Sequence, residues 1–77
     1  MAQVSIEGYT DNTGSPAANK QLAQQRAETV KEMLVQSGIG DGRMQAAGFG
    51  ADRPVASNDT AEGRARNRRI ELVVTAR

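Results

Sequence analysis

At 77 residues, with hydrophobic side chains at 38%, charged ones at 25% and a formal charge of +1, the chain has room for one small globular domain. Tyr9 and Phe49 are the two aromatics, so the core must come from Val, Ile, Leu, Met and Ala. With neither cysteine nor histidine, a disulfide scaffold, a zinc site and Cys- or His-based catalysis are excluded, and no other metal or cofactor motif is present. A near-neutral charge gives no global attraction for nucleic acid or an anionic membrane. No apolar run approaches the roughly 18 residues that cross a bilayer. No signal peptide is visible, and Met1-Ala2 directly before a strand pattern fits an excised fragment.

From Gln3 to Thr10 the residues alternate, Val4 and Ile6 against Ser5 and Glu7, the period of a half-buried strand. Asp11 to Pro16 is a polar turn whose Asp, Asn, Thr and Ser can bond their own backbone. Ser15 is a good N-cap and Pro16 a good first helical residue. Helix formers then run without Gly or Pro to about Ser37, where Gly38 supplies a left-handed cap and Ile39 folds back on the last turn. A second strand is expected over Arg43 to Ala47, ending in Gly48-Phe49-Gly50, with Pro54 in an irregular connection. Asn58-Asp59-Thr60 with Glu62 reads as a helix start for a short turn from Thr60 to about Arg66, weakened by Gly63. Ile70, Leu72 and Val74 alternate with Glu71, Val73 and Thr75 as a terminal strand. The expected fold is α+β in the order β-α-β-(short α)-β: a small mixed β-sheet with the long helix packed on one face, as a single domain over residues 1–77.

At roughly 100° per residue, Leu22, Ala23, Ala27, Val30, Met33 and Leu34 share one arc of the long helix and are expected to face the sheet. Lys20, Gln24, Glu28 and Lys31 share the opposite arc and are expected to face water. Asn19 and Arg26 fall inside the apolar arc, where a charge is costly unless paired. Extending the Ile70-Leu72-Val74 face back by two residues turns Arg68 inward as well, with Arg69 sharing the outer face with Glu71. The acid nearest these groups is Asp11, where the first strand hands over to the helix. A buried Asp11–Arg26 salt bridge tying loop to helix would explain the pattern. So would a small polar pocket suited to a zwitterion, with Asp11 taking an ammonium and an arginine fork taking a carboxylate.

Thr10-Asp11-Asn12-Thr13-Gly14, then Asn19, then Leu22-Ala23-Gln24-Gln25-Arg26-Ala27, resembles the T-D-x-x-G…N…L-S-x-x-R-A signature of the OmpA-like peptidoglycan-binding domain. Gly38-Ile39, Gly48-Phe49-Gly50, Pro54, Asn58 and Gly63 to Glu71 are similar to its G-I, G-Y-G, P, N and G-R-x-x-N-R-R-V-E blocks. Order and spacing match over nearly the whole chain; Ala23 stands where the family usually has Ser. The resemblance implies a non-catalytic module of the periplasm and cell envelope, anchoring an outer- or inner-membrane protein to the cell wall. It would do so by gripping the diaminopimelate of the peptidoglycan stem peptide. Carried over, Asp11 would bind the ammonium and Arg26 the carboxylate, with Asn19 and Arg68 assisting and the backbone of Thr10, Asn12 and Thr13 closing the site.

The family's domain begins with a further strand and helix that have no counterpart here, and that strand lies beside the last one. The resemblance therefore implies an uncovered apolar edge and face around Arg69 to Thr75. Either the chain is truncated, or a second copy supplies the surface as a homodimer or by domain swapping. The alternative reading is a structural or engineered α/β fragment that self-associates and has lost ligand binding. Arg64 to Arg69 looks like a nucleic-acid patch, but Asp59, Glu62 and Glu71 lie nearby and two aromatics are few for stacking. A Glu7/Asp11 carboxylate pair for glycoside cleavage fails because Glu7 lies on the outer face. Asp11-Asn12-Thr13-Gly14 lacks the spacing and distal Glu of a calcium loop, and Gly48-Phe49-Gly50 lacks the third glycine of a dinucleotide turn.

Overall fold

Val4, Ile6 and Gly8 alternate with Ser5, Glu7 and Tyr9 along β1 (Gln3–Tyr9), the middle strand of a three-stranded sheet. The computed structural model describes residues 2–76. After β1 come α1 (Pro16–Gln36), a 3₁₀ turn (Asp41–Arg43), β2 (Met44–Gly50), α2 (Ala61–Asn67) and β3 (Arg69–Ala76). The sheet order is β2-β1-β3, with β1 parallel to β2 and antiparallel to β3. The expected mixed sheet and element order are therefore the observed ones.

The local punctuation of α1 works as read. The Ser15 hydroxyl accepts from the Ala18 N–H at 3.1 Å, with Pro16 at the first helical position. At the other end Gly38 adopts φ 103°, and the Ile39 N–H reaches back to the Leu34 carbonyl at 3.1 Å. Thr60 caps α2 by accepting from the Gly63 N–H at 2.9 Å. The second strand starts at Met44, because Arg43 closes the 3₁₀ turn, and runs on through Gly48-Phe49-Gly50 rather than stopping before it. The pairing shifts by one residue beside Gly8 and Tyr9, which absorbs the extra residue as a bulge.

The core lies between α1 and the inner face of the sheet, built on Ile6, Ala27 and Met44 with Val4, Val30, Leu34, Ala46 and Ile70 around them. α1 packs on β1 and β2. Glycine makes that approach close: a Cβ on Gly8 would collide with the Ala23 carbonyl, and one on Gly48 with the Gln24 backbone. The helix is consequently rolled toward β2, and this corrects three expectations. Gln24 does not face water. Its Nε2 donates to the Ala46 carbonyl at 3.0 Å and its Oε1 accepts from the Gly48 N–H at 2.8 Å. Met33 is 61% exposed instead of packed on the sheet, and Leu22 is also exposed. Arg26, expected to lie inward, is exposed, because the flank of α1 that carries it overlooks β3 and not the covered strands. On that side Leu72 (58%) and Val74 (51%) are open, an exposed apolar face where the resemblance led one to expect it.

Candidate functional site

The turn after β1 folds on its own side chains. The Asp11 Oδ1 accepts from the Thr13 N–H at 2.8 Å, an Asx turn that fixes the carboxylate. The Thr10 hydroxyl donates to the Asp11 carbonyl at 2.8 Å, and the Thr10 N–H bonds the Gly50 carbonyl at 2.8 Å, which ties the turn to the end of β2. Asn19, buried in the first turns of α1, donates from Nδ2 to the Asp11 carbonyl at 3.4 Å. Asn12 and Thr13 are exposed at the rim.

The second Asp11 oxygen, Oδ2, carries the ion pair. Its partner is Nη1 of Arg68 at 2.6 Å, from the residue that caps α2. The expected Asp11–Arg26 bridge does not form. Arg68 reaches the carboxylate from the C-terminal end of α2, whereas Arg26 stands on the open flank of α1. The Asp11 carboxyl is held at about 2, below its usual value. The Thr13 backbone N–H is the main cause, followed by the Thr13 side chain and the Arg68 guanidinium, while burial opposes them. Asp11 is thus an anion at any physiological pH and cannot serve as a general acid.

Two residues that the sequence reading left out of the site hold this corner together. Asn67, fully buried, accepts from the Val55 and Ala56 N–H groups at 2.8 and 3.0 Å. It donates to the Ala56 carbonyl at 3.0 Å and to the Asn58 side chain at 2.8 Å, so its whole amide capacity is used. Arg69 bonds the Glu71 carboxylate, the Asn67 carbonyl at 3.3 Å and the Arg53 carbonyl at 2.9 Å. Its guanidinium also lies 3.9 Å over the Tyr9 ring. Tyr9 stacks on Phe49 at 5.4 Å, and the Arg53 guanidinium lies 4.1 Å from the Phe49 ring centre. These aromatic and cation–π contacts lie on the outer face, which Glu71 and Arg69 share as read. The one sequence cue was the position of both residues inside the Asn67-Arg68-Arg69 run.

Arg26 lines a separate groove of about 430 Å³ with Leu22, Gln25, Thr29, Val30 and Ile70, between α1 and β3. Of the expected site residues, the structure therefore gathers Thr10, Asp11, Asn12, Thr13, Asn19 and Arg68 at one corner. Arg26 stands on the adjoining helix flank.

An α+β module with a mixed three-stranded sheet and an acid–arginine corner at the β1–α1 turn is the class defined by these features. The chain belongs to the OmpA family, whose model matches residues 1–68. It is 51% identical over 73 residues to the peptidoglycan-binding protein ArfA of Mycobacterium tuberculosis, covering 95% of this chain and 22% of that protein. Outer membrane porin F of Pseudomonas aeruginosa is 50% identical over 92% of this chain and 21% of its own length. Among solved structures, the peptidoglycan-associated lipoprotein of Burkholderia pseudomallei superposes with a TM-score of 0.92 at 38% identity, over 96% of this chain and 63% of that one. The cell wall anchor of the Pseudomonas aeruginosa T6SS gives 0.86 at 40%, over 99% and 56%. The chain thus spans about a fifth of the length of the first two relatives.

Proposed function

We propose that the chain is a non-catalytic peptidoglycan-binding module of the cell envelope. In this reading it acts as one domain over residues 1–77 and grips the diaminopimelate of the stem peptide. The observation that carries the reading is the Asp11 corner: a carboxylate fixed by its own turn and kept ionised, with cationic side chains on two neighbouring elements. Asp11 takes the ligand ammonium and Arg26 its carboxylate. Asn19 and Arg68 assist, and the exposed Asn12 and Thr13 close the rim with Thr10 behind them. Relatives described as a peptidoglycan-binding protein and a cell wall anchor support the ligand class. The outer-membrane and lipoprotein relatives support the periplasmic setting. No described helix is long and apolar enough to cross a membrane.

The test is co-sedimentation with purified peptidoglycan. Asp11→Ala and Arg26→Ala should each abolish retention in the pellet. Lys31→Ala, which removes only the bridge to Asp41 at 3.2 Å, should leave it intact. Equal retention of all three variants rejects the assignment. Self-association belongs to the same reading: a second copy covers the open β3 edge and its apolar face, by pairing or by swapping. Sedimentation velocity across a concentration series should then show a monomer–dimer equilibrium.

A further inference from the structure

The Asp11–Arg68 pair is unequal. The Asp11 side chain is only 10% exposed and both its oxygens are engaged, whereas the Arg68 side chain is 46% exposed and its bond to Asp11 is its one hydrogen bond among the described residues. The backbone on either side of Arg68 is pinned, by the fully bonded Asn67 amide before it and the four-way anchoring of Arg69 after it. Asp11 is therefore a fixed anion, and Arg68 is a long, flexible cation swinging from a fixed base. An ammonium that approaches Asp11 meets a seat already held by a guanidinium.

We infer that Arg68 is a specificity-determining counter-ion that a ligand must displace from Asp11, and that only a zwitterion can displace it without net loss. This rests on the binding reading above and adds the reason for its selectivity. A bare amine that takes the Asp11 seat gains one charged hydrogen bond but leaves Arg68 stripped of its partner beside a buried corner. A bare carboxylate meets Asp11 as a like charge. A group with ammonium and carboxylate on one carbon inserts head to tail into the existing pair. The ammonium replaces Arg68 on Oδ2, and the released guanidinium turns to the ligand carboxylate alongside Arg26. One ion pair becomes two, and charge stays balanced at every stage.

Three related probes separate the charges: diaminopimelate, 1,5-diaminopentane, which keeps the spacing of the two amines without the carboxylates, and pimelate, which lacks both amines. For the unmodified protein, calorimetric titration should find each single-charge probe about 10- to 100-fold weaker than diaminopimelate, the worth of one charged hydrogen bond. In Arg68→Ala the amine should bind more tightly than to the unmodified protein and diaminopimelate more weakly, so the gap closes. Arg68→Gln, which keeps the side-chain bulk without its charge, should do the same and serves if the alanine variant does not fold by amide NMR. Diaminopimelate binding with an undiminished gap in these variants, or no gap in the unmodified protein, overturns the exchange and leaves the wall-binding reading standing. Failure of the folded, unmodified protein to bind any probe overturns both.

Discussion

The two edges of the sheet are treated in opposite ways. At β2 the helix is rolled down until Gly48 touches its backbone, and Gln24 bonds two backbone groups of an edge strand as a neighbouring strand would. At β3, α1 reaches only the Ile70 end among the described residues, and Leu72 and Val74 stand exposed on the inner face beyond the groove that holds Arg26. Both edges carry the unpaired groups that invite another chain, but only one is blocked from within. A helix of fixed width can close one side of a three-stranded sheet, and here glycine decides which. The same roll explains the two arginines: it swings Arg26 away from Asp11 and leaves the carboxylate to Arg68.

The largest effect should come from the closed edge. Gln24→Ala removes both hydrogen bonds to β2 and should lower stability by about 1–3 kcal/mol, with faster exchange of the Gly48 amide in NMR. Acid acts on the corner between the edges. Because the folded Asp11 carboxyl lies at about 2 against an ordinary 3.8, its contribution to stability is full above about pH 4 and is lost as pH falls toward 2. Asp11→Asn should flatten the stability profile across that window, read from denaturant midpoints at each pH. The smallest effect should come from the open edge. Leu72→Thr keeps strand propensity on an exposed site and should change monomer stability by no more than about 0.5 kcal/mol, while weakening self-association in sedimentation velocity. A cost at Leu72 matching that at Gln24 would show that the β3 face is as packed as the β2 face.

What could be read from the sequence was what is settled within a few residues. Ser15-Pro16 and Gly38-Ile39 mark the ends of α1 because capping is local, and Ile70-Leu72-Val74 shows its face because a strand has a period of two. The Asp11 turn was legible for the same reason. The inward turn of Arg68 was expected too, but the ion pair read for Asp11 was with Arg26, and Arg68 makes it from the C-cap of α2 rather than from the strand. The roll of α1 was not, since it depends on where two distant glycines let the backbone settle. A wheel centred between Leu22 and Val30 is wrong by little in angle, yet it misplaces Arg26, Met33 and Gln24 together. Asn67 escaped notice because its partners, Val55, Ala56 and Asn58, lie in an irregular segment with no period to announce a buried amide.

Of the three described strands, the middle one comes earliest in the chain and one of its two neighbours latest, with Gln3 opposite Ala76. β1 and β2 can meet once the crossover through α1 is made, but the sheet stays two-stranded until β3 is available. Such end-to-end pairing raises the contact order and delays closure. It also means that Arg68 reaches Asp11 only when α2 and the base of β3 exist. A nascent chain cut short before its final strand would carry an exposed β1 edge and an unfinished acid corner together. Assembly of the proposed binding site is thereby coupled to docking of β3, so a chain that lacks this strand presents an open target to proteolysis rather than a half-formed site.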